Sequence, residues 1–130
     1  GEVGVMLLDT HVWIWWATRD RSLPKRVSQR IEASHYIAVS AISVYEIAYL
    51  LLRNKLEFSM DAQRWMRYAQ DAIDEVIPIT AAVSFCAGRL DWEHRDPADR
   101  FIVATAIEHR LPLVTKDSTI SGSGLVETLW

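Results

Sequence analysis

Short apolar runs alternate with longer segments of helical periodicity along this chain. Val5-Met6-Leu7-Leu8 is an apolar run that stops at Asp9-Thr10, the pattern of a strand buried on both faces of a parallel sheet. His11 to Ala17, rich in tryptophan at Trp13, Trp15 and Trp16, opens a helix or turn. Pro24 suits the first turn of a helix carrying Val27 and Ile31 four residues apart. Tyr36-Ile37-Ala38-Val39 reads as a second buried strand, after which Ser40 caps a helix from Ala41 to about Arg53. Met60 to Ile73 sets Trp65, Ala69 and Ile73 on one helical face. Val76 to Ile79 is a third strand, and its Pro78 predicts a sheet edge or a strand start. Thr80 caps a helix over Ala81 to Leu90. Asp96-Pro97, an acidic cap followed by proline at the first helical position, starts another that runs to about Arg110. Leu111 to Thr115 is a fourth strand, halted by Asp117, and Leu125 to Trp130 is a candidate fifth.

Strands and helices in this alternation predict an α/β fold, a mainly parallel sheet of about five strands covered by helices. Ligands in such folds sit at the carboxyl ends of the strands. No repeat, low-complexity tract or compositional break marks a linker, so a single domain over residues 6–130 is expected. Residues 1–5 are read as a cloning remnant or an N-terminal extension.

Composition narrows the function. Half of the 130 residues are apolar and 24% are charged, as in a soluble globular domain. The single cysteine, Cys86, excludes an internal disulfide and fits a reducing, cytoplasmic setting. The apolar stretch from Ile37 to Leu52 is broken by serines and Glu46, and it falls short of the ~20 residues a membrane span needs. Glu2 stands where a signal peptide would carry basic residues. A formal charge of −3 excludes a protein that holds nucleic acid by a broad basic field. It leaves open a nucleic-acid enzyme that takes its positive charge from a metal ion.

The acids carry the candidate chemistry. Asp9 and Asp117 follow the first and fourth strands and would project from one sheet edge, although aspartate is also common in such turns as a local hydrogen-bond acceptor. Glu46 lies in AISVYEIAYLLL, a helix apolar on most faces. A carboxylate buried there needs a cation, either a metal or an arginine such as Arg53 or Arg100, or a raised pKa. In the cluster Glu93 to Arg100, Asp96 is accounted for as a helix cap and Asp99 is the surplus acid. His94, alone in a charged loop, is of a kind more often solvated than ligating. The tryptophans near residue 15 favour a core or oligomer surface over base stacking, and the basic run Arg19 to Arg30 favours a solvated face over phosphate contacts. No glycine-rich phosphate loop is present, and one cysteine with scattered histidines gives no zinc spacing. Carboxylates without soft ligands select hard cations, Mg²⁺ or Mn²⁺. The residues therefore point to a metal-dependent phosphoester hydrolase.

MLLDTHVWIWW, SVYEIAYLL, HRDPADRFIVATA and LVTKD, in that order and spacing, resemble the PIN-domain ribonucleases, and among them the VapC toxins of type II toxin–antitoxin pairs. The resemblance runs from Met6 through the rest of the chain. It implies a three-layer α/β/α sandwich whose parallel sheet gathers Asp9, Glu46, Asp99 and Asp117 at one edge. Asp9, Asp99 and Asp117 would hold Mg²⁺, with Mn²⁺ as a substitute, and Glu46 would be a further ligand or orient the attacking water. Asp96 is a helper or only the cap, and Thr10 and Thr115 match small hydroxyl positions lining the site. Hydrolysis of RNA, tRNA or rRNA by family, would leave 5′-phosphate and 3′-hydroxyl ends. Arg95, Arg100 and Lys116, beside the acids, are expected to steer the RNA backbone. The resemblance further implies a homodimer and an inhibitory VapB-type antitoxin, joined in a heterotetramer or larger assembly. The alternative is a catalytically weak scaffold of the same fold that acts by protein binding. A signalling receiver domain is disfavoured, because Thr80 stands where the phosphoacceptor aspartate would be needed.

Overall fold

The computed structural model describes residues 4–53 and 61–130. Five strands form one sheet: β1 (Val5–Leu8), β2 (Tyr36–Ser40), β3 (Glu75–Ile77), β4 (Leu113–Val114) and β5 (Thr128–Leu129). Every pairing is parallel, and the order across the sheet is β3-β2-β1-β4-β5. The helices are α1 (Thr10–Thr18), α2 (Lys25–Ala33), α3 (Ala41–Leu52), α4 (Ala62–Asp71), α5 (Ala81–Arg89), α6 (Pro97–His109) and α7 (Ser118–Ser121). Among the described residues, no helix is long and apolar enough to cross a membrane.

Strand residues alternate between two cores, as a two-residue side-chain period requires. Met6, Leu8, Ile37, Val39 and Val114 face one side, where Trp13, Val27, Ile31, Trp65 and Ala69 bring in α1, α2 and α4. Leu7, Ala38 and Leu113 face the other, against Ile102 and Ala106 of α6 and Ile120 of α7. Helices thus cover both faces, giving the three α/β/α layers. α5 lies outside α6, joined through Val83, Ala87 and Ala104. α3 straddles the layers, with Ile47 in the first core and Ile42 against the second.

Local rules account for most boundaries. Ser40, Thr80 and Asp96 each accept a backbone N–H at the start of α3, α5 and α6. Pro97 holds the first position of α6, where a missing N–H costs nothing. β3 is an edge strand, as its proline predicts, but it ends at Ile77 before Pro78 and begins at Glu75. β4 and α5 are shorter than their apolar patterns, and α7, a single turn capped by Asp117, has no counterpart in the sequence reading. α4 is capped by Asp61, and the expected helix start at Met60 lies outside the described residues.

Two of the three tryptophans are structural. The Trp13 indole is wholly buried and donates to the Ala69 carbonyl at 2.8 Å, and Trp16 donates to that of Ala72 at 2.9 Å. These bonds tie α1 to the end of α4. Trp15 instead turns outward, against the rings of His11 and Trp130.

Candidate active site

The chain runs outward from β1 through β2 to β3, then returns to place β4 on the other flank of β1. At such a reversal the loops leaving adjacent strands part and open a crevice at their carboxyl ends. Asp9 leaves β1 there and Asp117 follows β4. Glu46 comes from the second turn of α3, which follows β2 directly, and Asp96 and Asp99 from the start of α6. All five acids line one cavity of about 550 Å³, together with His11, Trp15 and Lys116.

The carboxylates are held by hydroxyls. Asp9 accepts the Thr10 backbone N–H on Oδ1 at 2.8 Å and the Thr115 hydroxyl on Oδ2 at 2.7 Å. The Thr115 oxygen in turn accepts the Asp117 N–H at 3.0 Å, so one buried side chain sets the turn that presents two acids. The Thr10 hydroxyl donates to Oε1 of Glu46 and lies 2.7 Å from the hydroxyl of Ser43, which is wholly buried. Asp99 is bonded through Oδ2 to Nε2 of His94 at 2.7 Å. One ligand atom from each of His94, Asp96 and Asp99 fits within 4.8 Å, close enough to share a cation.

Burial raises the pKa of Asp9, Glu46 and Asp99 above the ordinary carboxylate range. Neighbouring carboxylates push the same way, Asp117 on Asp9 and Asp9 on both Glu46 and Asp99. The bonds from Thr115, Thr10 and His94 oppose the shift without cancelling it. Charges gathered against their own repulsion and desolvation are a site arranged for a cation.

The sequence profile of the PIN domain matches residues 6–122. The chain belongs to the PIN-domain family. Over 113 residues this PIN domain is 38% identical to Ribonuclease VapC22 of Mycobacterium tuberculosis, a match covering 86% of each chain. Its fold superposes on VapBC2 from Rickettsia felis, bound there to a DNA fragment from its promoter, with a TM-score of 0.69. That match covers 96% of this chain and 97% of the other at 16% identity. A toxin–antitoxin complex from Klebsiella pneumoniae gives a TM-score of 0.63 at 23% identity, covering 93% and 94%. At these identities the two structures speak for the fold alone.

The PIN domain brings Asp9, Glu46, Asp99, Asp117, Asp96, Thr10 and Lys116 to one cavity, with Thr115 bonded to Asp9 behind it. Arg95, next to Asp96 in the chain, is exposed, and its side chain is not among the lining groups. Arg100 departs from the expected RNA-steering role: its guanidinium donates to the carbonyls of Ala87, Leu90, Trp92 and His94 at 2.8–2.9 Å. A cation committed to four carbonyls holds a loop and is not available to a phosphate. Neither Arg100 nor Arg53, which lies over the Tyr49 ring at 3.9 Å, pairs with Glu46. Sequence reasoning gave no role to Ser43 and too little weight to His94. The position of Ser43 three residues before Glu46, on the same helical face, was the available sign.

Raised carboxyls make the fold pH-sensitive with a definite sign. A group that binds its proton more tightly in the folded state stabilises fully below its unfolded pKa, and the gain is lost as pH rises through the folded value. In chelator, the protein is expected to melt several degrees lower at pH 8 than at pH 5. Asp99→Asn, which removes one charge and leaves His94 an acceptor, should narrow that gap. Equal melting temperatures across this range would contradict the repulsion described here.

Proposed function

We propose that this PIN domain is a metal-dependent endoribonuclease, a VapC-type toxin kept silent by a VapB-type antitoxin. The observation that carries the reading is the convergence of Asp9, Glu46, Asp99 and Asp117 from separate elements on one cavity at the strand ends. The donor set is carboxylate and hydroxyl oxygen, with the His11 and His94 imidazoles beside it and no thiolate, which fits Mg²⁺, with Mn²⁺ as a substitute. Asp9, Asp99 and Asp117 would hold the ion. An ion held there would supply positive charge to the phosphoryl oxygens and lower the pKa of the attacking water. Glu46, oriented by the Thr10 hydroxyl, would align the attacking water and take its proton. Thr115 keeps Asp9 in place, and Asp96 caps α6 one turn before Asp99. Lys116 in the cavity and the exposed Arg95, next to Asp96 in the chain, would draw the RNA backbone toward a site that is otherwise negative. Reversing both charges should weaken binding and flatten its salt dependence. Single-stranded loops of tRNA or rRNA are the proposed substrates, because unstacked bases are where RNA sequence can be read.

The antitoxin reading draws on the names of the relative and of the structural neighbours. It also draws on a second groove, of about 1020 Å³, that shares Trp15 with the acidic cavity. Trp16, Leu23, Ile31 and Tyr68 line its apolar surface, while Arg19, Asp20, Arg21 and Glu32 supply charges of both signs. A helix of the antitoxin seated there would pass its next residues across Trp15 to the acids. Tyr45, Tyr49 and Leu52 stand exposed on α3, a face suited to a homodimer, and the toxin and antitoxin dimers would form a heterotetramer or larger assembly in the cytoplasm.

The deciding experiment incubates the purified, antitoxin-free protein with a tRNA and rRNA mixture, in Mg²⁺ or in chelator, and maps the fragment ends. Cuts at defined sites that require the metal and leave 5′-phosphates support the reading. Silence from a demonstrably folded protein would favour the binding scaffold.

A further inference from the structure

The segment from Leu90 to Asp96, between α5 and α6, forms neither helix nor strand, yet it is firmly anchored. Arg100, one residue beyond Asp99 on the first turn of α6, reaches back into it. Its Nε donates to the Ala87 carbonyl at 2.9 Å and Nη2 to that of Leu90 at 2.8 Å. Nη1 bridges the carbonyls of Trp92 and His94 at 2.8 and 2.9 Å. The His94 ring rests against Trp92, with centroids 4.8 Å apart, so the residue is fixed at its backbone and at its ring. What the anchorage delivers is the 2.7 Å bond from Nε2 of His94 to Oδ2 of Asp99, between side chains 28% and 16% exposed. Oδ1 of Asp99 makes no hydrogen bond among the described residues. One turn of helix thus carries a carboxylate and the arginine that brings that carboxylate its donor.

We propose that His94 is a positioning residue for the metal centre: it occupies Oδ2 of Asp99, so that this carboxylate meets the ion through Oδ1 alone and in a fixed orientation, and Arg100 holds it in that role. The inference rests on the reading that Asp99 holds a divalent cation. A free aspartate must have its rotation stopped each time the ion binds, whereas one already pinned by a neighbour does not. Partners of this kind, outside the ligand sphere, are typically worth about 10–100-fold in metal affinity. The bond also keeps Oδ2 from becoming a second ligand atom, which would take a coordination place needed by water or phosphate.

The test is a Mn²⁺ titration of the full chain, with free ion followed by its solution EPR signal and with no RNA present. His94→Ala should bind Mn²⁺ about 10–100-fold more weakly than the wild type while still melting cooperatively. His94→Gln, whose amide N–H can reach the same oxygen, should recover most of the loss. Pulsed EPR of the wild-type Mn²⁺ complex should show no imidazole nitrogen coupling that disappears in His94→Ala. Wild-type affinity in His94→Ala would overturn the proposal, as would failure of His94→Gln to recover. A nitrogen coupling lost in His94→Ala would also overturn it, by making the ring a ligand. If the wild type itself bound no Mn²⁺, the metal-dependent reading would fall and this inference with it, a result unlike any of the others.

Discussion

Asp99→Asn should lower RNA cleavage by about 10³-fold or more while the protein stays folded. The change removes one negative charge from a cavity in which Asp9, Glu46 and Asp117 come from other elements and cannot move in to replace it, while Asp96 is committed to capping α6. Electrostatic stabilisation by a bound cation is worth several kcal/mol in a transition state, and each 1.36 kcal/mol is a factor of ten in rate. Asparagine keeps an oxygen to accept from His94, so the anchored loop should survive and the loss is one of charge. Single-turnover cleavage of a labelled RNA, set beside a melting curve, checks both halves of the statement. A loss below tenfold would remove Asp99 from the metal site.

Arg100→Met is expected to cost about 3–5 kcal/mol of stability. Hydrogen bonds to a charged donor contribute about 1.5–3 kcal/mol each and add incompletely, and carbonyls left behind without water lose further. Arg100 serves four of them. For a chain of this length the melting temperature should fall by about 10 °C or more. Arg100→Lys should recover less than half, since a compact ammonium cannot reproduce the planar fork. Urea unfolding of the three proteins measures this directly. A change under 1 kcal/mol would mean that the 90–94 segment is held by something else.

The fold was legible where local rules and the global pattern agree. Met6 to Leu8 and Ile37 to Val39 are apolar on both faces because both faces are covered, and Ser40, Thr80 and Asp96-Pro97 mark helix starts by capping chemistry alone. The family follows as well, since the matching profile spans residues 6–122. The shortfalls have physical causes. β4 contains two residues because strand length depends on the partner's register, and the apolar run from Leu111 to Thr115 carries no record of where β1 and β5 end. α7 is one turn, too short to show a period. His94 and Arg100 were misjudged for one shared reason. In a linear string a charged loop reads as solvated, and only the folded backbone shows carbonyls converging on a guanidinium. Cys86 is half-buried, since α5 covers α6 with one face and leaves the other open.

The return of the chain to β1 has a consequence in time. Asp9 is made early, but the hydroxyl that orients it belongs to Thr115, 106 residues later, and Asp117 follows that. Until β4 docks beside β1, the early acids have neither their last member nor the side chain that aims the first. On the proposed function, a nascent polypeptide therefore carries no complete acid cluster until the segment through Thr115 and Asp117 has been made and β4 has docked. For an enzyme proposed to attack the RNA of the translation apparatus, that order of assembly delays injury to the ribosome still making it.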